Sequence, residues 1–171
     1  MKALIFSLIF FAGSALAGQA PSEVNANLKS PLQLGEANVR FLGFNLYKAQ
    51  LWTSGETFSY GRPFALSLTY KRSFTASELA EMTVKEVARI EKTTFSAHQN
   101  LTALEKCFAN VDTNDRITGV SKGTDRAVFY VNGRKSCDFS YPSFSKRFFG
   151  IWLSENTRDP GSRARLLGTA R

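Results

Sequence analysis

Histidine is almost missing from this chain. There is one, His98, among 171 residues, beside two cysteines and two methionines. A lone histidine with no serine or cysteine nucleophile motif argues against a Ser–His or Cys–His hydrolase. Cys107 and Cys137 are too far apart for a zinc knuckle, and no histidine cluster could complete a ligand set, so no metal and no cofactor is expected. After the first residues no apolar run is long enough to cross a bilayer, so no stable membrane anchor is expected. Repeats, low-complexity tracts and domain linkers are also lacking. A chain of this length with 43% hydrophobic residues then reads as one modest domain with a real core.

The most directly informative feature is the N-terminus. Met1-Lys2 supplies a positive start, Ala3–Phe11 is apolar except for Ser7, and Ala15-Leu16-Ala17 is an A-x-A cleavage site. This is the pattern of a secretory signal peptide over residues 1–17. It predicts a periplasmic or secreted protein, released by cleavage after Ala17, with a flexible lead-in over 18–34 and the folded domain over 35–171. In an oxidising compartment Cys107 and Cys137 can form one disulfide; the alternative is two buried thiols. The formal charge is +8, one less without Lys2. A basic surface attracts nucleic acid or anionic lipid. Export and the absence of a basic-aromatic reader argue against nucleic acid as a partner.

Tyr141–Gly168 organises the rest. Pro142 suits a first helical position, with Ser140 or Tyr141 as its cap. Phe144, Phe148, Ile151 and Trp152 then recur at helical spacing. Asp159-Pro160 opens a second helix, docked by Leu166 and Leu167 and stopped by Gly168. The aromatic stripe carries no polar group able to orient a cofactor, so it reads as core.

Earlier in the chain, Val39–Thr53 has apolar residues of both parities, as in a strand or strand pair covered on two sides, with Gly43 as a bulge or close approach. Phe64–Lys71 alternates as a half-buried strand. Thr75-Ala76-Ser77-Glu78 is a capping box opening a helix to about Lys92. Leu79, Met82, Thr83, Glu86, Val87 and Ile90 share one of its faces. Glu86 either snorkels to water at the rim or lines a cleft. Thr94–Phe108 reads as another helix with Leu101, Leu104 and Phe108 inward. Three short strands follow over 116–120, 126–131 and 135–139, the last two joined by the Asn132-Gly133 hairpin turn. Strands, helices, strands and helices in that order imply an α+β fold, an antiparallel sheet with helices gathered on one face.

Four segments in this order, RFLGFNLYKAQLW, SLTYKR, NDRITGV…YVNGRKSCDF and FFGIWLSE…RARLLG, resemble the bacterial chalcone isomerase-like proteins across about Gly35–Gly168. The resemblance implies an open-faced β-sandwich with an apolar cleft between helices and sheet. The plant enzymes of that superfamily use, in chain order, an arginine, a threonine, a tyrosine, an asparagine and a second threonine. These fall near Lys29 or Ser30, on Leu42, near Ala76, near Thr83 and near Ile151. Only Thr83 keeps a comparable character, so the charge-stabilising donors of flavonoid cyclisation are not in place.

Other superfamily members hold fatty acids in the same cleft, which implies a non-catalytic module for a small apolar or fatty-acid-like ligand. Its candidate polar contacts are Tyr47, Tyr70, Arg72, Thr83 and Glu86. Two other readings stand beside it. One is an isomerase or lyase on another substrate using Glu86, Thr83 or Tyr47. The other is a structural partner of an envelope protein, docking through exposed aromatics or the arginine-rich end.

Overall fold

A computed structural model describes residues 18–41, 43–92 and 97–170. The expected signal peptide at 1–17, Leu42 and the expected helix start at Thr94 lie outside the described residues, as do the side chains of His98 and Leu101.

Six strands form one antiparallel sheet in chain order: β1 (Leu32–Phe41), β2 (Phe44–Thr53), β3 (Phe64–Tyr70), β4 (Arg116–Ser121), β5 (Arg126–Val131) and β6 (Arg134–Ser140). Every connection joins sheet neighbours, so a meander suffices. One face carries α2 (Ala76–Glu91), α3 (Ala97–Cys107), α4 (Phe144–Leu153) and α5 (Pro160–Leu166). The α+β reading, with a helical layer on one face of an antiparallel sheet, is the observed architecture.

The opposite face holds α1 (Ser22–Asn25), and here the expectation of a flexible lead-in is corrected. Val24 and Leu28 are buried against Trp52, Ala65 and Val120. Glu23 is buried too. It takes a forked pair of hydrogen bonds from Arg116, at 2.9 and 3.2 Å, and a third at 2.7 Å from Thr118. Ser67 in turn lies 3.0 Å from the Thr118 hydroxyl. The polar spelling of 18–30 hid this, because the segment's single acidic anchor finds its partners more than ninety residues away, 93 and 95 on in the chain. The same cover explains why β3 is buried on both faces rather than half-buried.

Val39–Thr53 is a strand pair after all, but Gly43 is its turn. Gly43 takes φ +83° and nothing crowds it. The bulges fall at Gln33/Gly35 and Val39/Arg40 instead. The close approach is at Gly35, where a Cβ would collide with the carbonyls of Arg165 and Leu166. Only glycine lets α5 lie directly on β1.

In α2 the capping box forms as its spelling requires: Thr75 Oγ1 accepts from the Glu78 N–H at 3.2 Å, and Glu78 accepts from the Thr75 N–H at 2.8 Å. Its buried face is Leu79, Ala80, Thr83, Val84 and Val87. Met82 is exposed, contrary to the expected stripe. Packing α2 between α3 and α4 turns its core side toward Ala80 and Val84, and leaves Met82 and Glu86 at the rim.

The α4 helix starts at Phe144, two residues later than Pro142 suggests. Ser143 adopts a left-handed conformation, and Asp125 accepts its N–H at 2.8 Å, so a loop supplies the cap. The α5 cap is as expected, with Asp159 accepting from the Ser162 N–H at 2.8 Å. Phe129, Phe144, Phe148 and Phe149 meet edge-on and stacked between α4 and the sheet. Each such ring contributes about 2–3 kcal/mol by area. Cys107 and Cys137 form a disulfide, tying the end of α3 to β6.

Candidate functional site

The candidate residues gather unevenly at the end of the sheet where β2 begins and β3 finishes. Tyr47 on β2 is the register partner of Tyr70 on β3, and their rings meet edge-on at 5.8 Å. Both point to the helical side, because they share parity with Ala49, Leu51, Leu66 and Leu68. From above, the last full turn of α4 brings Trp152, whose Nε1–H donates to the Tyr47 hydroxyl at 2.9 Å. Phe148 holds the Trp152 ring edge-on at 5.4 Å. The result is an aromatic wall tipped by one hydroxyl, one indole N–H and the Tyr70 hydroxyl.

Burial dominates the electrostatics here. It pushes the Tyr47 phenol up to about 12, against the Trp152 hydrogen bond, while the charges of Glu86 and Asp159 push the same way as burial. Burial also holds the Tyr70 phenol far above the ordinary tyrosine range, with Tyr47 adding to it. Neither group ionises near neutrality, so neither is a base. Both serve as neutral hydrogen-bonding tips on an apolar surface.

Thr83 is buried on α2, but its hydroxyl donates to the Leu79 carbonyl at 2.8 Å. That back-bond occupies its proton. Glu86 stands at the rim: Arg89 donates to its Oε2 at 2.9 Å, and Arg158 donates to its Oε1. Arg89 also donates to the Asn156 carbonyl at 2.9 Å. Glu86 is therefore a clasp between α2 and the 154–159 loop. Arg72 is placed apart: it is exposed on the turn after β3, over the Phe74 ring at 5.3 Å. The Phe74 ring, edge-on to Tyr70 at 5.7 Å, sets it off from the wall.

Trp152, Arg89 and Arg158 were not singled out as site residues by the sequence. The Glu86–Arg89 spacing of three on a helix was a readable signal. Trp152 was legible only as core. On the other side of α4 the hydroxyls of Tyr60 and Ser154 are buried with no hydrogen-bond partner among the described residues. They lie 3.9 and 4.0 Å from where a Cβ on Gly150 would stand.

Over β3–β5 the space between helices and sheet is packed with phenylalanine rings. A concavity of about 390 Å³ lies elsewhere, at the sheet edge, lined by Glu36, Ala37, Asn38, Arg40 and Arg165. Among the described residues no group of acidic, histidine and cysteine side chains could hold a metal ion. Among them, too, no helix is long and apolar enough to cross a membrane.

Comparison with curated proteins gives no match. Among solved structures, a fatty-acid binding protein of Arabidopsis thaliana superposes with a TM-score of 0.62 at 10% identity, covering 81% of this chain and 87% of its own. That likeness is one of fold. The chalcone isomerase-like family profile matches residues 20–168, which takes in α1 as well as the sheet and all four overlying helices. The chain belongs to the chalcone isomerase-like family.

Proposed function

We propose that this is an exported, non-catalytic carrier of a fatty acid or similar apolar anion, held between the helices and the sheet near β2 and β3. The observation that carries the reading is the Tyr47–Trp152 pair: a hydroxyl and an indole N–H partly buried among aromatic rings, within the field of Glu86, which two arginines hold at the rim. An apolar slot with a few convergent polar groups is what such a ligand needs. The fold shared with a fatty-acid binding protein supports the same reading.

A catalytic role fits the site less well. Both oxygens of Glu86 are taken by guanidinium groups, Thr83 spends its proton on its own helix, and the two phenols stay neutral. None is free to move a proton at neutral pH. Export is supported by the leader-like spelling of 1–17 and by the disulfide, which persists in oxidising compartments.

Native mass spectrometry of the protein purified from its own cells tests the ligand, with lipid extraction to identify it. A bound fatty acid is expected. Protein that carries no lipid and takes up none on titration with palmitate overturns the reading. The intact mass of the same sample tests export: it should begin at Gly18.

A further inference from the structure

Glu86 is held in an unusual way for a residue at the edge of an apolar wall. Two guanidinium groups from different elements, Arg89 on α2 and Arg158 before α5, converge on its carboxylate. The Glu86 side chain is 20% exposed, whereas Arg158 is 62% exposed. Arg158 is thus the loosely held partner, and exposed ion pairs of this kind are weak. Arg89 ties α2 to Asn156 in the loop that follows Trp152, and the charge of Glu86 acts on the Tyr47 phenol. Two forked cations at the mouth of an apolar surface are what a lipid carboxylate requires. Here a carboxylate of the chain itself already occupies them.

We propose that Glu86 is an internal stand-in for the ligand's head group. A fatty acid arriving with its tail toward Tyr47, Tyr70 and Trp152 takes over Arg158 and Arg89, and Glu86 swings out to water. At the two guanidinium groups one carboxylate replaces another, while the site as a whole gains the ligand's single negative charge and goes from +1 to 0. A neutral lipid of the same length cannot displace Glu86, so the device selects anionic heads. The same exchange removes the Glu86–Arg158 tie on loading and leaves the Arg89–Asn156 hydrogen bond as the link between α2 and the 154–159 loop. This inference rests on the lipid-binding reading above and adds to it a mechanism of selection.

Two substitutions break the same ion pair and are expected to act in opposite directions. Glu86→Gln removes the competitor, and should tighten palmitate about tenfold, the factor expected if the arginines are free of Glu86 only roughly a tenth of the time. Arg158→Gln removes a head-group cation, and should weaken palmitate and erase its preference over hexadecanol. Both are read by calorimetric titration on the full mature chain, with palmitate and hexadecanol as probes. Palmitate bound by Glu86→Gln but not by the wild type also supports the proposal. If the wild type binds palmitate and the two variants shift it in the same direction, or not at all, Glu86 is only a structural clasp and the proposal is overturned. If neither wild type nor Glu86→Gln binds palmitate, the lipid-binding reading itself falls and takes this one with it. Should Glu86→Gln fail to fold, the largely exposed Arg158→Gln decides alone: retained discrimination between palmitate and hexadecanol rejects the exchange.

Discussion

Trp152 donates its indole N–H to the hydroxyl of Tyr47 at 2.9 Å across 105 positions of chain, joining the last turn of α4 to the start of β2. This bond ties the end of α4 to the sheet at the candidate site. It also gives both side chains a partner in surroundings otherwise made of rings. Trp152→Phe keeps most of the apolar contact but leaves the Tyr47 hydroxyl without its donor. A loss of about 1–2 kcal/mol in urea unfolding is expected. A change below a few tenths would mean that water replaces the bond.

The enclosed phenols set an alkaline limit. Tyr47 is neutral in the fold up to about 12 but ionises near 10 once unfolded. The unfolded chain therefore releases its proton first. The stabilisation from keeping Tyr47 neutral is whole below pH 10 and is lost as pH rises from 10 toward 12. Denaturation at pH 9 and pH 11 should show a drop in stability that is smaller in Tyr47→Phe. An equal drop in the variant would assign the effect to other groups.

At the acid side the relevant group is Glu23. Burial pushes its carboxyl up, but the hydrogen bonds from Arg116 and Thr118 outweigh that and hold it below the usual glutamate range. Its stabilisation is present above the unfolded value of 4.5 and is lost as pH falls below it. Glu23→Gln should cost about 3 kcal/mol at neutral pH, because it leaves Arg116 half of a pair on a covered sheet face. It should also flatten the acid limb of the stability curve. A wild-type acid limb in that variant would show that α1 docks through its apolar residues alone.

Gly35 is the contact point of β1 and α5. In Gly35→Ala a Cβ meets two backbone carbonyls, which cannot rotate away as a side chain would. The helix must lift, at a cost of about 1–3 kcal/mol or more. Amide exchange localises the effect: β1 and residues 160–168 should lose protection while β4–β6 keep theirs. Unchanged protection throughout would mean the strand moves instead.

The disulfide closes a loop of separation 30. Replacing both cysteines by alanine should remove about 3–4 kcal/mol by chain entropy. Reductant should lower the melting temperature of the wild type and leave the double variant unaffected. Insensitivity of the wild type to reductant would show that the bond is absent from the purified protein.

Several elements were legible because their causes are local. The capping box at Thr75–Glu78, the Asp159-Pro160 start of α5 and the Asn132-Gly133 turn each place a donor, a ring or a free φ within four residues of its use. Strand spacing and helical periodicity supplied the α+β class, and the order of four segments supplied the family. Other features were hidden because their partners are distant. Nothing near Glu23 predicts Arg116, nothing near Tyr47 predicts Trp152, and Pro142 could not reveal that Asp125, 18 residues earlier than Ser143, accepts the N–H at the start of α4.

The chain's spelling alone determined the starts of α2 and α5 and the β5–β6 turn, since propensity, capping and periodicity act within a few residues. Tertiary structure alone decided which polar groups meet. Glu86 between Arg89 and Arg158, Tyr47 under Trp152, and Glu23 against Arg116 all depend on close packing, which brings remote segments within hydrogen-bond reach and removes the water that would otherwise satisfy them.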